Sequence, residues 1–307
     1  MPGPRRVGAR WRPLGVAGLV VVALGAGVAL AWVARSTPPP GRTTAQPSRA
    51  VVPRSVLPPP ARPAPAPSNQ ARAVPQPRPA PAPPAPSPQG RLAIVFDDAG
   101  GSLEGVEAII AIGRPVTVAV LPYLAHSTEV ARRARAAGLD VLLHLPLEPD
   151  DARKDPGPGG ITVEMSDAAI YRAVQAALAS VPGAVGINNH MGSRATTDRR
   201  VMRAVLRAAR GAGVFFLDSY TTSQSVVREV AAEVGVRTAT RAVFLDNEDE
   251  AAAIAAQIRR AIARARQEGR AIAIGHVQRL TPTVVTAMLH EFDEAGVVLV
   301  PVSALVR

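Results

Sequence analysis

Residues 91–307 read as an α/β domain, a (β/α) barrel of seven or eight strands, preceded by a transmembrane segment and a disordered Pro-rich linker. Three observations predict it. Short β-branched runs alternate with Ala/Arg/Glu-rich stretches at intervals of roughly 25 to 45 residues, the spacing of βα units. The runs are continuously apolar, as in strands buried on both faces of a parallel sheet. Five of them end in polar residues, and in a barrel the C-terminal ends of the strands form the active site.

The elements follow in chain order. Residues 1–13 carry Arg5, Arg6, Arg10 and Arg12. From Leu14 to Ala34 there is no charge, and at about 1.5 Å per residue this run crosses a bilayer. Basic residues before it keep the N-terminus cytoplasmic and send the rest outward, which predicts an inner-membrane anchor with a periplasmic domain. Trp11 and Trp32, the two Trp of the chain, flank the run at interfacial positions. The alternative is a secreted protein released by signal cleavage, because Ala29-Leu30-Ala31 resembles a small-residue cleavage site. Residues 35–90 hold most of the 22 prolines that precede residue 91, out of 31 in all, and predict an extended spacer without regular hydrogen bonding. Strands are expected to start near Leu92, Val116, Asp140, Ala184, Gly213, Thr240, Ala271 and Gly296. Helices are expected over Ser127–Ala137, Asp167–Ser180, Asp198–Arg210 and Asp249–Arg266, several opening on a Ser or Asp suited to capping.

Composition narrows the function. The net charge of +11 belongs to the tail: residues 1–90 hold eleven of the 35 basic residues and none of the 24 acidic ones, so 24 of each remain in the folded part. A basic face with interleaved aromatics is missing, which argues against a nucleic-acid partner. Without cysteine, a metal site has to use His, Asp or Glu.

The strand ends carry the chemistry. Asp97 and Asp98 close the run Leu92–Phe96, and two adjacent carboxylates there suit a site in which one binds a metal and the other takes a proton. His144, His190 and His276 close later runs, as does Asp218. Two neutral imidazoles and a carboxylate with open positions make a hydrolytic metal site.

The strings Ile94-Val95-Phe96-Asp97-Asp98, Leu143-His144-Leu145-Pro146-Leu147-Glu148-Pro149, Gly186-Ile187-Asn188-Asn189-His190-Met191-Gly192-Ser193, Phe216-Leu217-Asp218-Ser219 and Ile274-Gly275-His276 resemble the divergent branch of the polysaccharide deacetylase superfamily. The resemblance covers essentially all of 91–307. It implies a deformed (β/α) barrel that removes acetyl groups from carbohydrate with a divalent metal, zinc by preference, acting on an acetylated glycan or a peptidoglycan-like substrate. Position by position it implies Asp97 as catalytic base, Asp98 and His190 as metal ligands, and His276 as the acid that protonates the leaving group. His144 is expected as the third ligand, although the H-x-x-x-H motif of the better-characterised branch is absent. Asp218 either orients His276 or caps the helix that follows. Glu148 either binds metal or substrate or belongs to a rigid loop between Pro146 and Pro149. Asn188 and Asn189 either bind the acetamide or satisfy loop carbonyls, and Arg241 is a further substrate-binding candidate. Two departures stand out: Ala242 where relatives carry an Asp that would orient Arg241, and Val277 where they carry Pro. The rival expectation is a non-catalytic envelope scaffold for a glycan or a protein, favoured by the scarcity of aromatic platforms.

Overall fold

The computed structural model describes residues 89–277 and 279–307. The segments expected over 1–13, 14–34 and nearly all of 35–90 lie outside them. Among the described residues no helix is long and apolar enough to cross a membrane.

Nine parallel strands form one curled sheet, consistent with a (β/α) barrel: β1 (Gly90–Ala99), β2 (Thr117–Val120), β3 (Asp140–Leu147), β4 (Gly186–Met191), β5 (Phe215–Asp218), β6 (Thr238–Thr240), β7 (Val243–Phe244), β8 (Arg270–His276) and β9 (Val297–Leu299). Their order is β6-β5-β4-β3-β2-β1-β8-β7, and β9 pairs with the start of β1. Eight helices connect them: α1 (Glu104–Ile110), α2 (Ser127–Ala136), α3 (Asp167–Ser180), α4 (Arg199–Gly211), α5 (Val227–Val234), α6 (Ala251–Glu268), α7 (Thr281–Ala287) and α8 (Leu289–Glu294). Ser166 caps α3 by accepting from the Ala169 amide, and Asp198 caps α4 by accepting from the amides of Arg200 and Val201.

The expected count of seven or eight strands is corrected to nine, because the sixth run changes partners halfway. β6 pairs with β5; the Arg241 amide then still donates to Asp218, but the Ala242 amide donates to Ile272 of β8, where β7 continues. Segment 238–244 thus touches both edges of the sheet.

Alternation along each strand separates two apolar layers. Ile94 and Phe96 of β1, Leu143 and Leu145 of β3, and Phe216 of β5 face the helices. Ala93 and Val95, Leu142, Phe215 and Leu217, and Ile272 and Ile274 face inward, where Val302, Leu305 and Val306 of the C-terminal segment pack against them. This parity decides which polar residues at the strand ends reach the centre.

Candidate metal centre

Inward parity carries Asp97 after Val95, His144 after Leu142, and His276 after Ile274 into the sheet's concave side. It would send Asp98 outward with Phe96. The register of β1 on β2 slips between Phe96 and Ala99, and Asp98 takes a left-handed φ of 63°. Such a bulge re-aims a side chain at the sheet's edge, and Asp tolerates this conformation better than most residues. Both carboxylates therefore reach one site.

Three donor atoms converge there. Asp98 Oδ1 lies 3.1 Å from His144 Nε2 and 2.9 Å from His190 Nδ1, and the two nitrogens are 3.2 Å apart. Adjacent donors around a tetrahedral zinc ion lie about 3.3 Å apart, given bonds of about 2.0–2.1 Å. The donor set and its spacing thus fit a metal ion. Burial opposes charge on Asp98, but hydrogen bonds from His144 and His190 outweigh it and hold its carboxyl far below the ordinary range. Burial likewise opposes charge on His144, and the carboxylates of Asp97 and Asp98 override it, raising its pKa. Positive charge is favoured at this point.

Around the triad the partners are specific. Asn188, fully buried and opposite His144 in the β3–β4 register, donates from Nδ2 to Asp97 Oδ1 at 2.9 Å and to Ser219 Oγ at 3.2 Å. Its Oδ1 is then left to accept from His144 Nδ1 at 3.0 Å, so His144 carries its proton on Nδ1 and presents the Nε2 lone pair to the centre. Burial pushes the Asp97 carboxyl above its usual range, only partly offset by His144 and Asn188. His276 sits beside Asp97 in the β1–β8 register, with Nε2 3.8 Å from Asp98 Oδ2. Its Nδ1 donates to Asp246 Oδ1 at 3.0 Å, and its ring stands edge-on to Phe244. Asp246 also accepts from the His276 amide and from Thr281 Oγ1, both at 2.6 Å. A Cβ at Gly275 would come within 2.7 Å of the Thr281 side chain, so glycine is needed for this closure. Burial opposes charge on His276, yet Asp246 raises its pKa, with Asp98 and Asp97 adding to the effect.

One expected role is corrected, and other candidates take the structural side of their alternatives. Asp218 does not orient His276, a task that Asp246 performs. Parity places Asp218 outward with Phe216, where it accepts from the Tyr220 amide at 2.8 Å and from Ser225 Oγ at 2.7 Å, fixing the turn after β5 rather than capping α5. Glu148 is occupied by Arg194 and by the Val163 amide, both at 2.6 Å, and clamps its loop. Asn188 and Asn189 are buried, and their amides bond to groups within the protein. Asn189 accepts from the Ser219 amide and donates to Met191 O, tying the β4 and β5 turns together. Met191 and Tyr220, at those two turns, are left-handed like Asp98. Arg241 needs no Asp at position 242, because it donates to the carbonyls of Ser219 and Tyr220 and lies over Phe244 at 4.9 Å. Asp246 was missed, though its parity with Phe244, two residues earlier, could have found it. A cavity of about 440 Å³ opens beside Asp98, walled by Gly100, Gly101, Val106 and Val277.

Comparison with known proteins identifies the family. Residues 94–306 match the family model described as divergent polysaccharide deacetylase. The chain belongs to that family. Within it, the chain is similar to an uncharacterized protein of Haemophilus influenzae, 40% identical over 206 residues, 67% of this chain and 73% of that one. It is also similar to the uncharacterized protein YibQ of Escherichia coli, 38% identical over 219 residues, 71% and 68% of the two chains. Among solved structures, the uncharacterized protein ATU2773 of Agrobacterium tumefaciens superposes with a TM-score of 0.68 at 25% identity, covering 73% of this chain and 92% of that one. As a divergent polysaccharide deacetylase, the chain brings Asp97, Asp98, His144, His190 and His276 to one mouth of the sheet.

Proposed function

We propose that this domain is a metal-dependent hydrolase that removes acetyl groups from a carbohydrate of the cell envelope. The observation that carries the reading is the convergence of three metal-type donors, Asp98, His144 and His190, between a buried carboxylate, Asp97, and an imidazole backed by a carboxylate, His276 with Asp246.

A divalent ion held by Asp98, His144 and His190, zinc by its nitrogen-rich donor set, would polarise the acetyl carbonyl and make water more acidic. Asp97 is the base. Asn188 holds its Oδ1, leaving Oδ2 to take a proton, and burial raises its affinity for that proton. His276 is the acid: Asp246 accepts the Nδ1–H hydrogen bond and favours the charged ring, so Nε2–H is available to the departing nitrogen or oxygen. The cavity beside Asp98 receives the acetylated residue. The apolar run 14–34 anchors the chain in the inner membrane with this domain on the periplasmic side, and the Pro-rich segment spaces it from the bilayer.

The test is acetate release by the full chain from a panel of acetylated glycans, with the metal content measured in parallel. Asp97→Asn is expected to abolish release and keep a stoichiometric ion. A fully active Asp97→Asn protein, or a wild-type protein that takes up no ion, would refute the mechanism.

A further inference from the structure

The flank of the sheet between α5 and α6 carries a groove with a volume of about 990 Å³, at the seam where segment 238–244 changes partners. Among the described residues no helix covers the seam, because only two residues separate β6 from β7. Five arginines line it, Arg228, Arg241, Arg264, Arg270 and Arg307, against the single acidic side chain of Glu268. Elsewhere many arginines sit on carboxylates, as Arg114 does on Asp293, Arg133 on Glu129 and Arg259 on Glu291. In the groove only Arg264 does, on Glu268. Among the described residues, no carboxylate lies within ion-pair distance of Arg228, Arg241, Arg270 or Arg307. Burial, with repulsion from Arg307 and Arg91, lowers the pKa of Arg270. A cleft lined by one sign of charge concentrates ligands of the other.

The groove's upper end adjoins the supports of the metal centre, because Ser219 accepts from Arg241 at its carbonyl and from Asn188 at Oγ. Its upper end is formed by Tyr220 and by Arg241, which donates to the Ser219 and Tyr220 carbonyls and is attracted by the charge of Asp218 and, less, by that of Asp97. Its lower end is formed by Arg270 and Arg307. Tyr220 is the one aromatic residue in its lining, so charge rather than ring stacking is what the groove offers. The chain's own Pro-rich segment is unsuited to it, having arginines and no acidic residue.

We propose that this groove binds a polyanionic glycan strand, held by its carboxylates or phosphates while an acetylated residue of the same strand lies at the Asp98 centre. The substrate class rests on the deacetylase reading; binding in the groove can be measured without it. The full chain in neutral detergent is titrated with an oligogalacturonate, a mannose-phosphate oligosaccharide and a dextran oligosaccharide of equal length, at about 50 and 200 mM salt. At least one anionic glycan is expected to bind about tenfold or more tighter than dextran, and its affinity to fall steeply with salt. The exposed pair Arg228→Gln/Arg307→Gln is expected to lose about tenfold to thirtyfold in affinity, taking the upper half of the range for two exposed charge contacts. The pair Arg132→Gln/Arg172→Gln, outside the groove, removes the same charge and is expected to bind as the wild type does. Equal binding of dextran, equal losses from both pairs, or unchanged binding by the groove pair would overturn the proposal. Tighter binding of poly-glutamate at equal charge would also overturn it, by assigning the groove to an acidic protein. Anionic binding without acetate release from any acetylated form would leave the groove standing and refute the hydrolase.

Discussion

Replacing Asn188 by Ala removes one amide that serves two functional groups at once. Three buried contacts disappear: Nδ2 to Asp97 Oδ1 at 2.9 Å, Nδ2 to Ser219 Oγ at 3.2 Å, and the acceptor for His144 Nδ1 at 3.0 Å. Each buried polar group left without its partner costs about 1–3 kcal/mol, so the fold is expected to lose roughly 2–4 kcal/mol after some relaxation. His144 loses what fixes its tautomer, and the loss of such an outer partner lowers metal affinity about 10–100-fold. Asp97 loses its orientation, for which a fall of about 10²-fold in kcat is expected. Asn188→Asp separates the two effects. Its carboxylate still accepts from His144 Nδ1, so zinc affinity is expected to stay within about threefold of wild type. The same carboxylate faces Asp97 with like charge, so Asp97 is pushed further up and the acid limb of the pH–rate profile moves to higher pH. Chelator competition for zinc, together with acetate release across pH, measures both. If Asn188→Ala binds zinc within twofold of wild type while folded, the argument that Asn188 fixes the ligand is wrong.

Asp246→Asn weakens the support for charge on His276, so the basic limb of the rate profile is expected to move to lower pH; an unmoved limb would exclude His276 as the acid. The stability lost in that variant follows the signs of the two shifts. Burial opposes charge on Asp246, but hydrogen bonds from His276 and Thr281 lower its pKa, so its contribution is present above the unfolded carboxyl's pKa of about 3.9 and fades as pH falls through the folded value. His276 is raised, so its contribution is complete below about 6.5 and fades as pH climbs through its folded value. Melting curves of both proteins against pH should differ most between those limits. Asp218→Ala should melt earlier by about 1–3 kcal/mol worth of lost turn contacts and keep kcat within a few-fold; a collapse of kcat in folded protein would restore a catalytic role to Asp218. Removing metal with a chelator should abolish acetate release, and at about 100 times the dissociation constant restored zinc adds about 2.7 kcal/mol, read as a rise in Tm.

Strand and helix positions were largely legible, because the runs are apolar throughout and several helices open on Ser or Asp. β3 begins at Asp140 and α3 spans Asp167–Ser180, as the pattern predicts. The division of β6 from β7 was not legible: whether Arg241 and Ala242 donate to Asp218 or to Ile272 depends on two strands distant in sequence. Within the site, position at a strand end was readable but side was not. Asp218 and Asp246 both end apolar runs, yet Phe216 faces the helices and Phe244 packs with the inner layer, so only Asp246 reaches His276. Asp98 is the reverse case, reaching the site through a bulge that breaks the alternation of β1. The pairing of Asn188 with both Asp97 and His144 depends on register across three strands.

The last strand bears on how such a chain is made. Gly90, Arg91 and Leu92 pair with Val297, Val298 and Leu299, and Val302, Leu305 and Val306 pack against the inward side chains. The lower half of the domain's first strand pairs with β8 on one edge and therefore waits for residues about 200 positions later before its other edge is filled, the kind of long-range pairing that slows folding. A ribosome that still holds residues 297–306 also holds the inner layer open.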